Sequence, residues 1–233
     1  MNAIPRSRSS SSTSETWNGS HSTSISTSPR RCRSVAADPR IGEVYLSADE
    51  LAARVRELGS EIARDYAGRE PILVGSLKAS FVFLADLSRA TPILHALDFV
   101  ELAGYGSAHM GGHEQIRVLK DLDADVLDRD VLVVEDVIDT GLTLNYLVRT
   151  FELRKPRSIA AVTLLDRPYR RLVEDLPVRY VGFVVPDELF VGYGFDLDER
   201  WRQLPDLRLV RLDQTSQTVR TTGDTPTDRP AFR

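Results

Sequence analysis

Apolar residues recur along the chain with two different periods, one typical of helices and one typical of buried strands. Ser47 and Glu50 have the spacing of a capping box, in which each side chain accepts a hydrogen bond from the other residue's free amide. Apolar residues then follow at helical spacing, at Leu51, Val55, Leu58 and Ile62. The pattern predicts a helix that begins at this box and ends before Gly68 and Pro71.

Further along, short apolar runs alternate with helical patterns. Residues 131–134 are apolar at every position, as expected for a strand covered on both faces by helices. A helical pattern follows at residues 144–151 and ends at Pro156. Further strands are predicted at residues 72–74, 97–102, 115–120, 159–165 and 180–185, and a further helix at residues 80–88. The alternation predicts an α/β domain with a mainly parallel sheet flanked by helices.

Both ends of the chain lack such a period. Residues 1–37 contain 12 Ser, 4 Thr and 5 Arg against one acid, Glu15, and residues 214–233 are polar. Segments of this composition bury too little apolar surface to offset the entropy of ordering, so we expect both to be disordered. The leader also resembles an organelle transit peptide in composition, with a plain extension or an early start codon as alternatives. The predicted domain is therefore residues 38–213.

Charge and cysteine content exclude several classes of function. The leader carries a net charge of +4 and the tail +1, so the whole-chain charge of −4 leaves −9 on the domain. An acidic domain offers no basic face for nonspecific nucleic-acid binding. The apolar runs all fall short of the ~18 residues of a membrane span. Because Cys32 is the sole cysteine, an internal disulfide and a cysteine-ligated metal site are excluded. We expect a cytoplasmic protein without nucleic-acid or membrane partners.

The segment 135–143 carries the strongest chemical signal. Glu135 and Asp136 follow a buried strand, at the edge where open parallel sheets bind ligands. Asp139 then leads into a helix start whose amides and hydroxyls can cradle a phosphate monoester. The cradle residues are Asp139, Thr140, Gly141, Leu142 and Thr143. Two carboxylates repel a phosphate unless they bind sugar hydroxyls or a divalent cation, so a phosphorylated sugar with Mg²⁺ fits best. The alternative is an acidic turn with Asp139 as a helix cap.

Residues 131–143 resemble the phosphoribosyl-diphosphate-binding signature of the type I phosphoribosyltransferases. Four further blocks resemble, in the same order, segments of the hypoxanthine-guanine phosphoribosyltransferases, and these are residues 75–86, 117–123, 164–168 and 181–196. The resemblance extends from about residue 41 to residue 210 and covers nearly the whole domain. It implies the type I phosphoribosyltransferase fold, with a small hood subdomain formed near Val44 and after Leu165.

The same resemblance implies a purine salvage reaction. Hypoxanthine or guanine, with xanthine as a further candidate, would react with phosphoribosyl diphosphate to give the nucleoside 5′-monophosphate and pyrophosphate. Glu135 and Asp136 would bond the ribose hydroxyls, and these two acids together with Asp196 would hold the cofactor Mg²⁺. By analogy, the protein would form a homodimer or a homotetramer.

Further residue roles follow from the resemblance alone. Asp139 would lie near purine N7 as the general base or acid, and Lys78 and Arg202 would act on the pyrophosphate. Leu77 and Lys78 would form the pyrophosphate loop, which in the family contains a cis non-proline peptide. Tyr105 would belong to a glycine-rich lid. A nucleotide-sensing or transcript-regulating protein on the same fold is the alternative, and the retention of Asp139, Lys78 and Arg202 favours the enzyme.

The residues around the base depart from the family's pattern. Arg167 stands where the family has a lysine that bonds the purine keto oxygen, and the two side chains differ in reach and geometry. Leu189 stands where an aromatic ring stacks on the purine, with Phe190 next to it, so either the register shifts or the stacking is lost. The charges between Arg167 and Arg171 could also form an exposed, solvated turn. We therefore hypothesise a base preference that differs from hypoxanthine and guanine, toward xanthine or a non-standard base.

Overall fold

The computed structural model describes residues 38–103 and 116–211. The helices are α1 (Ala48–Asp65), α2 (Phe81–Ala90) and α3 (Leu142–Glu152). The strands are β1 (Ile41–Leu46), β2 (Ile72–Leu77), β3 (Ala96–Ala103), β4 (Arg117–Lys120), β5 (Asp130–Ile138), β6 (Ser158–Asp166), β7 (Val178–Val184), β8 (Phe190–Val191) and β9 (Leu207–Val210). The predicted leader and tail, and the lid segment with Tyr105, lie outside the described residues.

The central sheet has six strands in the order β4-β3-β2-β5-β6-β7. Every neighbouring pair is parallel except β3 with β4, so the predicted mainly parallel sheet is confirmed. Residues 72–75 of β2 pair with residues 131–134 of β5. Beyond that point β2 continues beside β3 and β5 continues beside β6. The sheet therefore opens between its two central strands, at their carboxyl ends.

The capping box predicted at the start of α1 is confirmed. The Ser47 amide donates to Glu50 Oε2 at 2.8 Å, and the Glu50 amide donates to Ser47 Oγ at 3.3 Å. The apolar face of α1 is buried and consists of Leu51, Val55, Leu58 and Ile62. Burying a large apolar side chain stabilises the folded state by about 1.5–3 kcal/mol. A Cβ at Gly59 would lie 2.3 Å from the Ala90 oxygen, so α1 and α2 approach too closely for any larger residue there.

Both faces of the sheet are buried. Leu132 and Val134 pack in one apolar cluster with α1 and α2. Val131 and Val133 pack in a second cluster with α3 on the opposite face. Because successive side chains of a strand alternate between faces, this strand needs apolar residues at every position. The interpretation of residues 131–134 as a doubly covered strand is confirmed.

A second, three-stranded antiparallel sheet has the order β1-β9-β8. It joins distant parts of the chain, since Ile41 pairs with Val210 and Phe190 pairs with Leu209. It is built from the segments that the resemblance implied for the hood. None of these three strands was predicted from the sequence, and β8 and β9, with two and four residues, are too short to show a period. Among the described residues, no helix is long and apolar enough to cross a membrane.

Candidate active site

A cavity of about 230 Å³ lies where β2 and β5 separate. Ser76 and Leu77 line it from the end of β2, Glu135 and Asp136 from β5, and Asp139 from the loop after β5. Further lining residues from the predicted cradle are Thr140, Gly141 and Thr143. In open parallel sheets ligands bind where the strand order reverses, and β2 and β5 are the strands at that point. The fold therefore brings most of the predicted sugar-phosphate residues together in one opening.

Glu135 and Asp136 lie within β5 rather than after it, because pairing with β6 continues to Ile138. Glu135 is 5 % exposed, and within residues 38–103 and 116–211 its Oε1 has no hydrogen-bond partner. Burial raises the pKa of Glu135 well above its ordinary value, the charge of Asp136 raises it further, and a hydrogen bond with Ser76 opposes the shift. A buried carboxylate with a free oxygen is not a solvated turn residue. It leaves one buried acceptor without a partner among the described residues, and buried acceptors are normally satisfied.

Burial also raises the pKa of Asp136, to about 6. Backbone hydrogen bonds and the charge of Arg202 oppose this shift, while the charge of Asp139 adds to it. Burial disfavours the ionised form of both acids, and the charge of a neighbouring carboxylate adds to this cost at each of them. A cation or a set of hydroxyl donors in the cavity would relieve that cost.

The loop from residue 139 to residue 143 ends at the start of α3. Gly141 is the N-cap residue, with φ of +81°, and it supplies no side-chain cap; the first turn of α3 also contains no acid. The amides of Leu172 and Val173 donate to the Thr140 oxygen at 2.9 and 3.3 Å and hold the loop in place. Asp139 is therefore not the cap of this helix. A helix start with no acid and no side-chain cap leaves amide donors for an anion.

Asp139 is paired with a buried arginine. Arg167 Nη1 donates to Oδ1 and Oδ2 of Asp139 at 3.0 and 3.3 Å. Arg167 Nη2 donates to the carbonyl oxygen of Glu188, and Arg170 Nη1 lies 3.7 Å from Asp139 Oδ2. The Arg167 side chain is 7 % exposed, so the solvated-turn interpretation is wrong for this residue.

Phe190, the aromatic residue next to Leu189, packs in the small sheet. Phe190 is buried, with its ring 4.9 Å from that of Tyr45 in the small sheet and beneath the Arg167 guanidinium. Leu189 is 47 % exposed. Leu189 is therefore the more exposed of these two neighbouring side chains, and the ring of Phe190 is buried between Tyr45 and Arg167.

The predicted pyrophosphate residues form one charged network. The peptide between Leu77 and Lys78 is cis, as the resemblance implied. Lys78 Nζ lies 3.4 Å from Glu199 Oε2, and Arg202 Nη2 lies 3.2 Å from the same oxygen and 2.8 Å from Asp196 Oδ1. Hydrogen bonds from Arg202 and then from Lys78 lower the pKa of Glu199 below its ordinary value.

The acids do not form a compact metal cluster by themselves. Within residues 38–103 and 116–211, no group of three His, Cys, Asp or Glu side chains is placed to hold an ion. Asp196 Oδ1 is paired with Arg202, and Asp196 Oδ2 accepts from the Glu199 amide at 2.8 Å. The free Oε1 of Glu135 fits Mg²⁺, which takes few carboxylates and completes its shell with water and substrate oxygens.

Three contributors were not predicted as site residues, namely Ser76, Arg170 and Glu199. Ser76 lies in β2, where no chemical pattern marks it. Glu199 had a usable signal, since it is a charged residue between two predicted site residues, Asp196 and Arg202. Arg170 had a weaker one, three residues after Arg167 on a turn.

Comparison with known proteins gives concordant results. Residues 43–196 match the family described as "Phosphoribosyl transferase domain". The chain is 46% identical over 175 residues to the hypoxanthine phosphoribosyltransferase of Salmonella typhimurium, which covers 74% of this chain and 97% of that protein. It is 42% identical over 171 residues to the hypoxanthine-guanine phosphoribosyltransferase of Bacillus subtilis, covering 73% and 94%. A crystal structure of a hypoxanthine-guanine phosphoribosyltransferase from Bacillus anthracis matches with a TM-score of 0.68 at 40% identity, covering 74% and 99%.

Proposed function

This chain belongs to the phosphoribosyl transferase family and is a purine phosphoribosyltransferase of the hypoxanthine-guanine type, and we propose how its residues carry out the transfer. The reaction joins a purine to phosphoribosyl diphosphate and releases the nucleoside 5′-monophosphate and pyrophosphate. One observation carries the residue assignments. A buried carboxylate oxygen that has no partner among the described residues lines the same opening in the sheet as the start of α3, whose N-cap is a glycine and whose first turn contains no acid.

The sugar phosphate binds in that opening. Amides of the loop from residue 139 to residue 143 hold the 5′-phosphate, since the start of a helix directs amide groups and the positive end of its dipole toward an anion. Glu135 and Asp136 accept hydrogen bonds from the ribose hydroxyls. When pyrophosphate leaves the anomeric carbon, positive charge develops on the ribose, and the two carboxylates stabilise it. Their raised pKa values support this role, because a nearby positive charge favours their ionised form.

Asp139 exchanges the ring proton of the purine near N7 while N9 attacks the sugar. A carboxylate suits this task when it is held in a fixed direction. Arg167 positions Asp139, because its Nη1 donates to both carboxylate oxygens. The same guanidinium replaces the lysine that the resemblance assigns to the purine keto oxygen. Arg167 would therefore contact the base and the proton-transfer residue together.

The leaving pyrophosphate meets Lys78 and Arg202, whose positive charges neutralise it as the bond to the sugar breaks. Mg²⁺ would be held by Glu135 and Asp136 on the sugar side and by Asp196 through water on the diphosphate side. A bound Mg²⁺ supplies additional charge neutralisation for the leaving group. Contact through water would let Asp196 keep the partners that both of its oxygens already have.

Steady-state turnover tests this proposal. The purified chain with Mg²⁺ and saturating phosphoribosyl diphosphate is assayed with hypoxanthine, guanine, xanthine and adenine, and calorimetry measures binding of the Mg²⁺-phosphoribosyl diphosphate complex. We expect heat of binding and turnover of 6-oxopurines. The departures at Arg167 and Leu189 lead us to propose weaker use of hypoxanthine than of another 6-oxopurine such as xanthine. Ordinary efficiency with hypoxanthine would contradict that preference, and absence of binding heat would contradict the assignment of the sugar site.

Two further points remain proposals. The alternative function, a nucleotide sensor or transcript regulator on the same fold, receives no support from the relatives described above. A mobility shift on RNA would be the result that supports it. Self-association as a homodimer or a homotetramer follows from analogy alone. Light scattering on the purified chain measures that state directly.

A further inference from the structure

Glu199 holds the two cations that the proposed function assigns to pyrophosphate. Its Oε2 lies 3.4 Å from Lys78 Nζ and 3.2 Å from Arg202 Nη2. A single carboxylate oxygen between an ammonium and a guanidinium reproduces the charge arrangement that a phosphoryl oxygen would have there. A diphosphate and the Glu199 carboxylate therefore compete for the same donors.

Arg202 does not depend on Glu199 for its position. Its Nη1 donates to the Gly194 oxygen at 2.8 Å, and its Nη2 lies 2.8 Å from Asp196 Oδ1. Both contacts remain if Glu199 moves away. The loop after β2 also keeps its own anchor, because a Cβ at Gly194 would lie only 2.1 Å from the Ala79 oxygen. Close packing between the backbones of Gly194 and Ala79 holds this loop in place independently of Glu199.

Glu199 is presented by a constrained loop but is itself free to leave. Asp198, Glu199 and Trp201 have φ of +54°, +60° and +69°, a conformation that side chains of this size rarely adopt. Arg40 ties the loop from outside, with its Nη1 3.5 Å from Asp198 Oδ2 and its guanidinium 4.7 Å from the centre of the Trp201 ring. The Glu199 side chain is 64 % exposed, so rotation into water breaks its ion pairs with Lys78 and Arg202, which are its side-chain contacts within the described part of the chain.

We propose that Glu199 occupies the pyrophosphate subsite of the ligand-free enzyme and must leave Lys78 and Arg202 before a diphosphate binds. This inference rests on the proposed function, which places pyrophosphate at those two residues. Its consequence is that Glu199 lowers the affinity for the diphosphate end of the sugar substrate. It also lowers the affinity for the product pyrophosphate, which favours product release.

The test is calorimetric binding of pyrophosphate, with Mg²⁺ present, to the native full-length chain, Glu199→Gln and Glu199→Ala. Because binding no longer has to break two exposed ion pairs, we expect both variants to bind about five- to tenfold more tightly. Asp198→Asn is the matched control, since it removes one negative charge from the same loop at a residue that contacts Arg40 rather than the two cations. We expect its affinity to change less than about twofold, as for an exposed pair.

Steady-state kinetics supply a second measurement, whose result would not change if Glu199 had a purely structural role. In Glu199→Gln, KM for phosphoribosyl diphosphate should fall while KM for the purine stays the same. Unchanged or weaker pyrophosphate binding in both Glu199 variants would overturn the inference, and so would an equal gain in Asp198→Asn. Melting curves verify that each variant is folded.

A Lys78→Met variant separates this inference from the proposed function. If it binds pyrophosphate as tightly as the native chain, the assignment of Lys78 is wrong and the inference fails with it. If it loses affinity while the Glu199 variants gain none, the pyrophosphate site stands and only the role of Glu199 is overturned.

Discussion

Asp139→Asn is the substitution that most directly probes the chemistry. It keeps the size of the side chain and one acceptor oxygen, but it removes the charge and the ability to take up a proton. In the native structure both carboxylate oxygens accept from Arg167 Nη1, at 3.0 and 3.3 Å. Asp139 is 25 % exposed and Arg167 only 7 %, so the arginine is the partner that the change leaves poorly compensated.

The expected effect on turnover is large and the effect on stability is small. Loss of a positioned proton-transfer group lowers turnover by about 10²-fold or more. Complete removal of one partner of a buried pair costs about 3–5 kcal/mol, but the amide oxygen and the Glu188 carbonyl still accept from Arg167. We therefore expect a loss of about 1–2 kcal/mol, which lowers Tm by roughly 3–6 °C in a domain of this size.

Three measurements check this prediction, namely steady-state turnover with hypoxanthine and guanine, calorimetry with the Mg²⁺-phosphoribosyl diphosphate complex, and thermal melting. Asp187→Asn is the control, because Asp187 is exposed and pairs with the neighbouring Arg170 at 2.8 Å. The control should keep turnover within about twofold, as for a surface ion pair. Unchanged turnover in Asp139→Asn would refute the proton-transfer role. A parallel loss of sugar binding would instead mean that the Asp139 side chain itself, and not only the amides of its loop, contacts the sugar phosphate.

Three further predictions concern the acidic strand, the base site and the phosphate loop. Burial raises the pKa of Asp136 to about 6, so the folded chain holds this proton more tightly than the unfolded chain, and the free energy of unfolding falls as pH rises from about 4 to 6. In EDTA, Asp136→Asn should therefore melt at a higher temperature than the native chain at pH 8. The difference between the two melting temperatures should disappear near pH 4. Equal melting temperatures at pH 8 would contradict the raised pKa of Asp136. Leu189→Phe should lower KM for the purine about three- to fivefold, because an aromatic stack contributes about 1 kcal/mol, and an unchanged KM would mean that Leu189 does not face the base. Gly141→Ala should lower both Tm and sugar-phosphate affinity, because φ is +81° and the new Cβ would lie 2.6 Å from Leu176 Cδ1. Gly68→Ala is its control, because φ is +74° there and the new Cβ would have no described heavy atom within 4 Å. Equal losses of Tm and of affinity in the two variants would mean that backbone strain alone causes the effect.

The elements that sequence analysis predicted well are those with local signals. The capping box of Ser47 and Glu50 and the apolar face of α1 depend on residues three or four positions apart, which interact within one helix. The uniformly apolar run at residues 131–134 indicated burial on both faces, because successive strand residues point to opposite sides of the sheet. The acids and the glycine after this run indicated a sugar-phosphate site, because ligands bind at the carboxyl edge of parallel strands.

The sequence by itself therefore determined the α/β class, the central strand and the chemical type of the site. Only the tertiary structure decided which partners those residues have. Arg167 donates to Asp139, which lies 28 positions earlier in the sequence, and Glu199, in a loop with positive φ, forms an ion pair with Lys78. No local sequence pattern connects the members of either pair. Periodicity reports whether a side chain is buried, whereas the identity of its neighbour depends on how distant elements pack. The unpaired oxygen of Glu135 has the same origin, since it results from the separation of β2 and β5 beyond Gly75.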